Sequence, residues 1–265
     1  MMPPMLRAAW DYRSFILGSV KREFQSRYRS SMLGISWTFI QPLALIIVYT
    51  VVFSQIISVK LPGVESGFGY SIYLCAGILT WGLFAEITQR GTAVFLEQAN
   101  LLKKISFPRL CLPVIVVSTA LLNFSIILGL FLIFLLLVGQ FPGWVILAMI
   151  PVLLIQLALA AGLGVTLGVL NVFFRDVGQL YAVILQFWFW LTPIVYPVAI
   201  LPDAAQQLMQ LNPMAPLIGA YQTIFVQGSW PDWVSLLPVT LLAILLCVLG
   251  MHLYRKHGHD MVDEL

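Results

Sequence analysis

An all-α integral membrane protein is the fold class this sequence predicts, and three observations predict it. Hydrophobic residues fill 60% of the 265 positions and charged residues only 9%, against roughly 45–50% and 25% in soluble domains. Mean hydropathy is +0.96. The apolar residues also gather into runs of the length that crosses a bilayer, about 20 residues. Such runs are too long and too uniformly apolar for barrel strands, and helices and closed barrels are the structures that satisfy backbone groups in lipid. So few charges could not cover a soluble globule. Disorder, collagen-like repeats and a disulfide-stapled secreted fold are excluded on the same numbers. The net charge of +3 is too small and too confined to argue for nucleic acid. Cys75, Cys111 and Cys247 lie in or beside apolar segments without ligand spacing, and read as small core residues.

The elements follow in chain order. Residues 1–32 show no signal-peptide core or small-residue cleavage site. Within them, 10–29 predicts an amphipathic helix: Trp10, Phe15, Ile16, Val20, Phe24 and Tyr28 form an apolar stripe, while Arg13, Lys21, Arg22, Arg27 and Arg29 crowd the remainder. Such a helix rests among lipid headgroups, either as a plain anchor or with a gating or docking role. Six spans are expected at about 33–57, 70–94, 109–138, 144–170, 178–197 and 233–254, followed by a tail over 255–265. Lysine and arginine fix their orientation. The N-terminal segment carries Arg7 besides those named; Lys103, Lys104 and Arg109 fall between spans two and three, Arg175 between four and five, and Arg255 and Lys256 in the tail. Only Lys60 falls on the other side and Arg90 within a span. Both termini are therefore expected in the cytoplasm.

Two connecting segments are unusual. The loop 97–108 is polar and basic with Leu101, Leu102 and Ile105 interleaved, and Pro108 ends it. It reads as a short helix presenting an apolar ridge flanked by charge to another protein, or as a plain interfacial loop. The external segment 198–232 has no basic residue and two acids, Asp203 and Asp232, yet stays apolar. Pro213 and Pro216 disfavour a full span. Two short helices, about 203–211 and 214–226, broken at Asn212-Pro213, are expected to form a re-entrant external hairpin, because irregular backbone at membrane depth is tolerated where protein buries it.

Familiar catalytic chemistry is missing. No GxxxxGK[ST], HExxH or GxSxG occurs, and no paired Cys or His lies in a span. His252, His257 and His259 beside Asp260 read as a solvated tail rather than a metal site. Glu86 is the one clear acid inside a span, and Arg90 lies one turn on, so the two read as an intramembrane ion pair that offsets each other's cost in lipid, structural by default and functional as the alternative. Aromatic stripes suit the apolar faces of sugar rings: Phe39, Tyr49 and Phe53 on span one, and Tyr181, Trp188 and Tyr196 on span five, beside Phe187-Trp188-Phe189-Trp190. Packing or an interfacial belt is the plainer reading of each. Ala160, Gly164 and Gly168 on span four permit close helix contact.

Taken in order, the basic amphipathic segment, RYRSSMLGISWTFIQPL, NLLKKISFPRLCLP, NVFFRDVGQL, TPIVYP and LNPMAPLIGAYQ resemble, over essentially the whole chain, the type-2 ATP-binding cassette (ABC) transporter permeases that export polysaccharides. The Wzm-type O-antigen permeases of lipopolysaccharide biosynthesis are the nearest match, with capsule and teichoic-acid exporters as relatives. The resemblance implies a homodimer in the bacterial inner membrane joined to two copies of a nucleotide-binding ATPase subunit. ATP and magnesium would sit on that partner, with no cofactor on this chain. The cargo implied is an undecaprenyl-diphosphate-linked polysaccharide, moved from cytoplasm to periplasm. The resemblance makes Asn100, Leu101, Leu102, Lys103, Lys104, Ile105 and Phe107 the coupling helix in a cleft of the ATPase. It sets Arg22, Arg27 and Arg29 at the cytoplasmic entrance where the lipid diphosphate arrives. It lines the sugar path with aromatics, for which Phe39, Tyr49, Phe53, Tyr181, Trp188 and Tyr196 are the candidates. An ion-gradient-driven flippase would need more intramembrane acids, and a membrane-embedded transferase more than Asp176 beside Arg175.

Overall fold

A computed structural model describes residues 12–28, 36–51, 68–104, 111–198, 201–258 and 260–264. Among them every regular element is helical: α1 (Arg13–Tyr28), α2 (Trp37–Val51), α3 (Gly69–Glu97), α4 (Ala99–Lys104), α5 (Cys111–Val138), α6 (Met149–Phe173, led in by a 3-10 turn over Gly143–Ala148), α7 (Asp176–Trp190), α8 (Asp203–Met209), α9 (Met214–Gln222, continued by a π-turn over Thr223–Gln227), α10 (Leu237–His257) and α11 (Asp260–Glu264).

Four of these are long and apolar enough to cross a membrane: α3, α5, α6 with its lead-in turn, and α10. Helices α2 and α7 have 15 residues each, about 22 Å at 1.5 Å per residue, against a hydrocarbon core of about 30 Å. Expected span 33–57 is described only over 36–51, and its remainder lies outside the described residues. Expected span 178–197 ends as helix at Trp190, and the chain turns over 191–198. Pro193 explains the stop, since the residue before a proline is driven out of the helical region. Thr192 closes the end by donating its hydroxyl to the Trp188 carbonyl at 2.7 Å.

Helix α3 is the centre, touching α2, α5, α6, α7 and α9. Glycine sets how near α6 comes. A Cβ on Gly168 would stand 2.5 Å from the Gly91 carbonyl oxygen, and one on Gly91 would stand 2.9 Å from the Gly164 Cα. The other side of α6 meets α10 in the same way, where a Cβ on Gly162 would lie 2.7 Å from the Cys247 nitrogen. With no hydrophobic drive between helices in lipid, such backbone proximity and interhelical hydrogen bonds supply the attraction. Gln156 of α6 donates to the Thr80 carbonyl at 2.8 Å. Asn171 donates to the Thr92 carbonyl at 3.0 Å and accepts from the Gly178 amide at 2.8 Å, joining α3, α6 and the start of α7. The outward faces carry Ile133, Leu136 and Leu137 on α5, and Leu241, Ile244, Leu245 and Val248 on α10, all exposed. Gly139, at φ +73°, ends α5, and its amide and that of Gln140 return to the Leu136 and Leu135 carbonyls.

The segment after α7 folds as two short helices parted at Asn212-Pro213. Helix α8 buries none of its residues, while α9 buries Met214, Leu217, Ile218 and Tyr221 against α3 and α6. Asn212 is the hinge pin. Its Oδ1 accepts from Trp188 Nε1 at 2.8 Å and from the Met214 amide at 3.0 Å, and its Nδ2 donates to the Leu191 carbonyl and the Thr192 hydroxyl.

Candidate functional site

One end of the bundle gathers α1, α4, the end of α3 and the start of α5. Helix α4 follows α3 after a single residue, Gln98. Leu102 is buried among Val94, Phe95, Leu112, Val116, Val169, Val172 and Met261, with Leu101 packed beside them. Asn100 and Lys103 are exposed on the other side. The apolar ridge is therefore what seats α4 on the bundle, and the polar side is what it offers outward. Met261 of α11 completes the seat, so this part of the tail is packed rather than solvated. His257 pairs with Asp260 at 3.3 Å and stands edge-on to Phe173. Among the described residues no group of His, Cys, Asp and Glu has the arrangement of a metal site. His259, Ile105 and Phe107 lie outside the described residues, as does the Lys104 side chain.

Helix α1 lies across the start of α5. Ile16 and Val20 are buried against Cys111 and Ile115, with Phe15 alongside. Its charged side carries Arg22, exposed and 2.9 Å from the Ser19 hydroxyl. Arg29 and the Arg27 side chain lie outside the described residues. A second, acidic contact was hidden from the sequence: Glu23 reaches Arg90 of α3 and forms a close ion pair through Oε1. Glu23 Oε2 stands 3.2 Å from the Thr119 hydroxyl of α5. Arg90 also faces Glu86, with Nη1 and Oε1 3.5 Å apart, a distance without a hydrogen bond. Glu86 in turn accepts from Asn123 Nδ2 at 3.0 Å. Arg90 is thus shared by two carboxylates, each with a further polar neighbour on α5. The only hint in the sequence was one acid in a strongly basic helix.

Cavities lie on both sides of this cluster. One of about 390 Å³ is bounded by α1, α3, α4 and α5, with Arg22, Glu23, Arg90, Glu97 and Gln98 in its wall. The other, about 410 Å³, lies between α2, α3 and α5. Its wall is mostly apolar, with Gln41, Glu86 and Asn123 as polar members.

The aromatics named from the sequence divide by face. Phe39 on α2 is exposed. Phe53 and the Tyr49 side chain lie outside the described residues. Tyr181 is buried, and Trp188 packs edge-on against Trp81 and Phe84 of α3. The Tyr196 hydroxyl donates to the Trp190 carbonyl at 2.7 Å. Within one subunit, then, the Tyr181–Trp188 side of α7 is turned toward α3, and the exposed aromatics of that helix are Phe187 and Trp190.

Comparison with known proteins adds the following. Residues 16–226 match the family described as ABC-2 type transporter. The chain is 30% identical over 263 residues to the O-antigen export system permease protein RfbA of Myxococcus xanthus, covering 98% of this chain and 99% of that one. It is 28% identical over 246 residues to the Klebsiella pneumoniae protein of the same name, covering 92% of each. Polysialic acid transport protein KpsM of Escherichia coli is 19% identical over 248 residues, covering 92% of this chain and 93% of that one.

Proposed function

The chain belongs to the ABC-2 type transporter family, and on that premise we propose that it is the permease subunit of an ATP-driven exporter of undecaprenyl-diphosphate-linked O antigen. Cargo passes from cytoplasm to periplasm across the bacterial inner membrane. Two copies form the path, and two copies of a separate ATPase subunit drive it. Helices α2 and α7 complete six spans, both termini are cytoplasmic, and α8 and α9 form a hairpin that re-enters the membrane from outside. The observation that carries the reading is the end-to-end likeness to proteins named for O-antigen export.

The geometry supplies a mechanical reason. Helix α4 is seated by Leu102 and offers Asn100 and Lys103 outward, so a push from a partner is delivered directly to the ends of α3 and α6. Arg22, with Arg27 and Arg29, draws the diphosphate to the membrane surface, at roughly 1 kcal/mol per basic residue. Phe39 and the exposed α7 aromatics Phe187 and Trp190 line the sugar path, with Tyr181 and Trp188 packed behind them and Tyr196 in the turn that follows the helix. Hydrolysis stays on the ATPase subunit.

The test is a strain lacking its own O-antigen permease, supplied with this chain and its ATPase subunit. Surface polysaccharide should appear with the wild type. Lys103→Glu combined with Lys104→Glu should cut co-purification of the ATPase subunit and surface polymer at least roughly tenfold, the scale of losing a charge-assisted contact. Wild-type export by that variant would remove α4 as the coupling element.

A further inference from the structure

We propose that α1 is a detachable arm, held to the bundle by Glu23 on Arg90, and that Glu86 is placed to take over Arg90 when the arm leaves. Arg90 lies seven residues before the end of α3, about 10 Å in at 1.5 Å per residue. Its side chain is 26% exposed, and an arginine so enclosed is costly without a carboxylate beside it. An arm pinned by a single Arg–Glu pair could not lift without stranding that charge. The second carboxylate changes this. With α1 docked, Glu23 holds Arg90 closely while Glu86 waits at 3.5 Å. With α1 lifted, Glu86 and Arg90 remain as a neutral pair one helical turn apart, still braced by Asn123, and Glu23 passes into water. The two carboxylates also repel each other while both face Arg90, which further lowers the cost of release.

Among the described residues the rest of the α1 contact includes Ile16, Val20 and Phe15 on Cys111 and Ile115, with the Glu23–Thr119 contact beside them. Behind α1 lies the 390 Å³ cavity, which Phe15, Ser19, Arg22 and Glu23 close on one side. Lifting the arm opens that cavity and uncovers Cys111, now 1% exposed.

Cys111 is therefore a built-in reporter. The full-length protein, in membranes, is treated with a water-soluble maleimide, and the labelling rate at Cys111 is read by peptide mass, with buried Cys75 as internal reference. Glu23→Gln and Arg90→Gln each should raise the Cys111 rate roughly fivefold or more, the scale of a lost charged hydrogen bond. Glu86→Gln should lower it by about threefold or more, because Arg90 then depends on Glu23 and the lifted state becomes the costly one. The opposite signs are what a merely structural cluster would not produce. If Glu86→Gln raised the rate along with the other two, or if none of the three moved it, the exchange would be wrong. Should Arg90→Gln fail to fold, Arg90→Lys keeps the charge and loses the fork, and a rate between wild type and Glu23→Gln is expected; an unchanged rate counts against the proposal. The measurement needs neither ATPase nor cargo, so its outcome is separate from that of the export reading.

Discussion

Helices α3 and α5 are almost the same length, 29 and 28 residues, and their fates are opposite. Helix α3 is the least apolar of the four long candidates and α5 the most. Yet 67% of the most apolar stretch of α3 is buried in the bundle, against 17% of that of α5. In water the order would be reversed. In hydrocarbon, a helix carrying Thr80, Glu86, Thr88, Arg90, Gly91 and Thr92 must turn those groups to protein, whereas a run of leucine and isoleucine is as content against lipid as against another helix. Polarity, not greasiness, marks the centre of this molecule.

That contrast can be broken at three depths. The largest effect belongs to the glycine seam. Gly168→Val puts a Cβ within 2.5 Å of the Gly91 carbonyl, and overpacking against backbone costs about 1–3 kcal/mol or more. The variant should show a markedly lower unfolding temperature in detergent and a reduced level in membranes. Leu137→Ala, at a position of α5 that is 82% exposed, should be within about 0.5 kcal/mol of wild type. Equal effects at the two sites would erase the distinction. Next comes Asn171→Ala, which removes the hydrogen bonds to Thr92 and Gly178. At roughly 0.6–1.7 kcal/mol for each interhelical bond, a loss of about 1–3 kcal/mol is expected, read by denaturation in detergent. The smallest is Gln156→Leu. Its Nε2 bonds Thr80, but its Oε1 has no hydrogen-bond partner among the described residues, so relief of that buried oxygen offsets part of the lost bond. A net change of about 1 kcal/mol or less is expected, and a loss as large as that of Asn171→Ala would show that the inner polar groups act as one network.

What could be read from the sequence follows the same division. Long apolar runs announce α3, α5, α6 and α10 because local periodicity and length settle them. The small-residue stripe gave Gly164 and Gly168 as a contact face, and Asn212-Pro213 gave the break between α8 and α9, both from local geometry. The end of α7 at Trp190 was masked, since the apolar run continues through Thr192-Pro193 and composition outvoted the proline. Glu23 was invisible for another reason. Its partner is 67 positions away, and nothing in the spacing of a basic amphipathic helix singles out one acid as facing the bundle. The side of α7 that meets α3 was likewise undecidable, because aromatics occupy both faces of that helix and only packing separates Trp188 from Phe187.

Asn212 has a mechanical consequence. Four hydrogen bonds from one side chain fasten the last turn of α7 to the first residue of α9, while α8 beside it is anchored by no buried residue of its own. The end of α7 is therefore tied through Asn212 to a helix that is itself buried against α3 and α6, and α8 hangs from that joint.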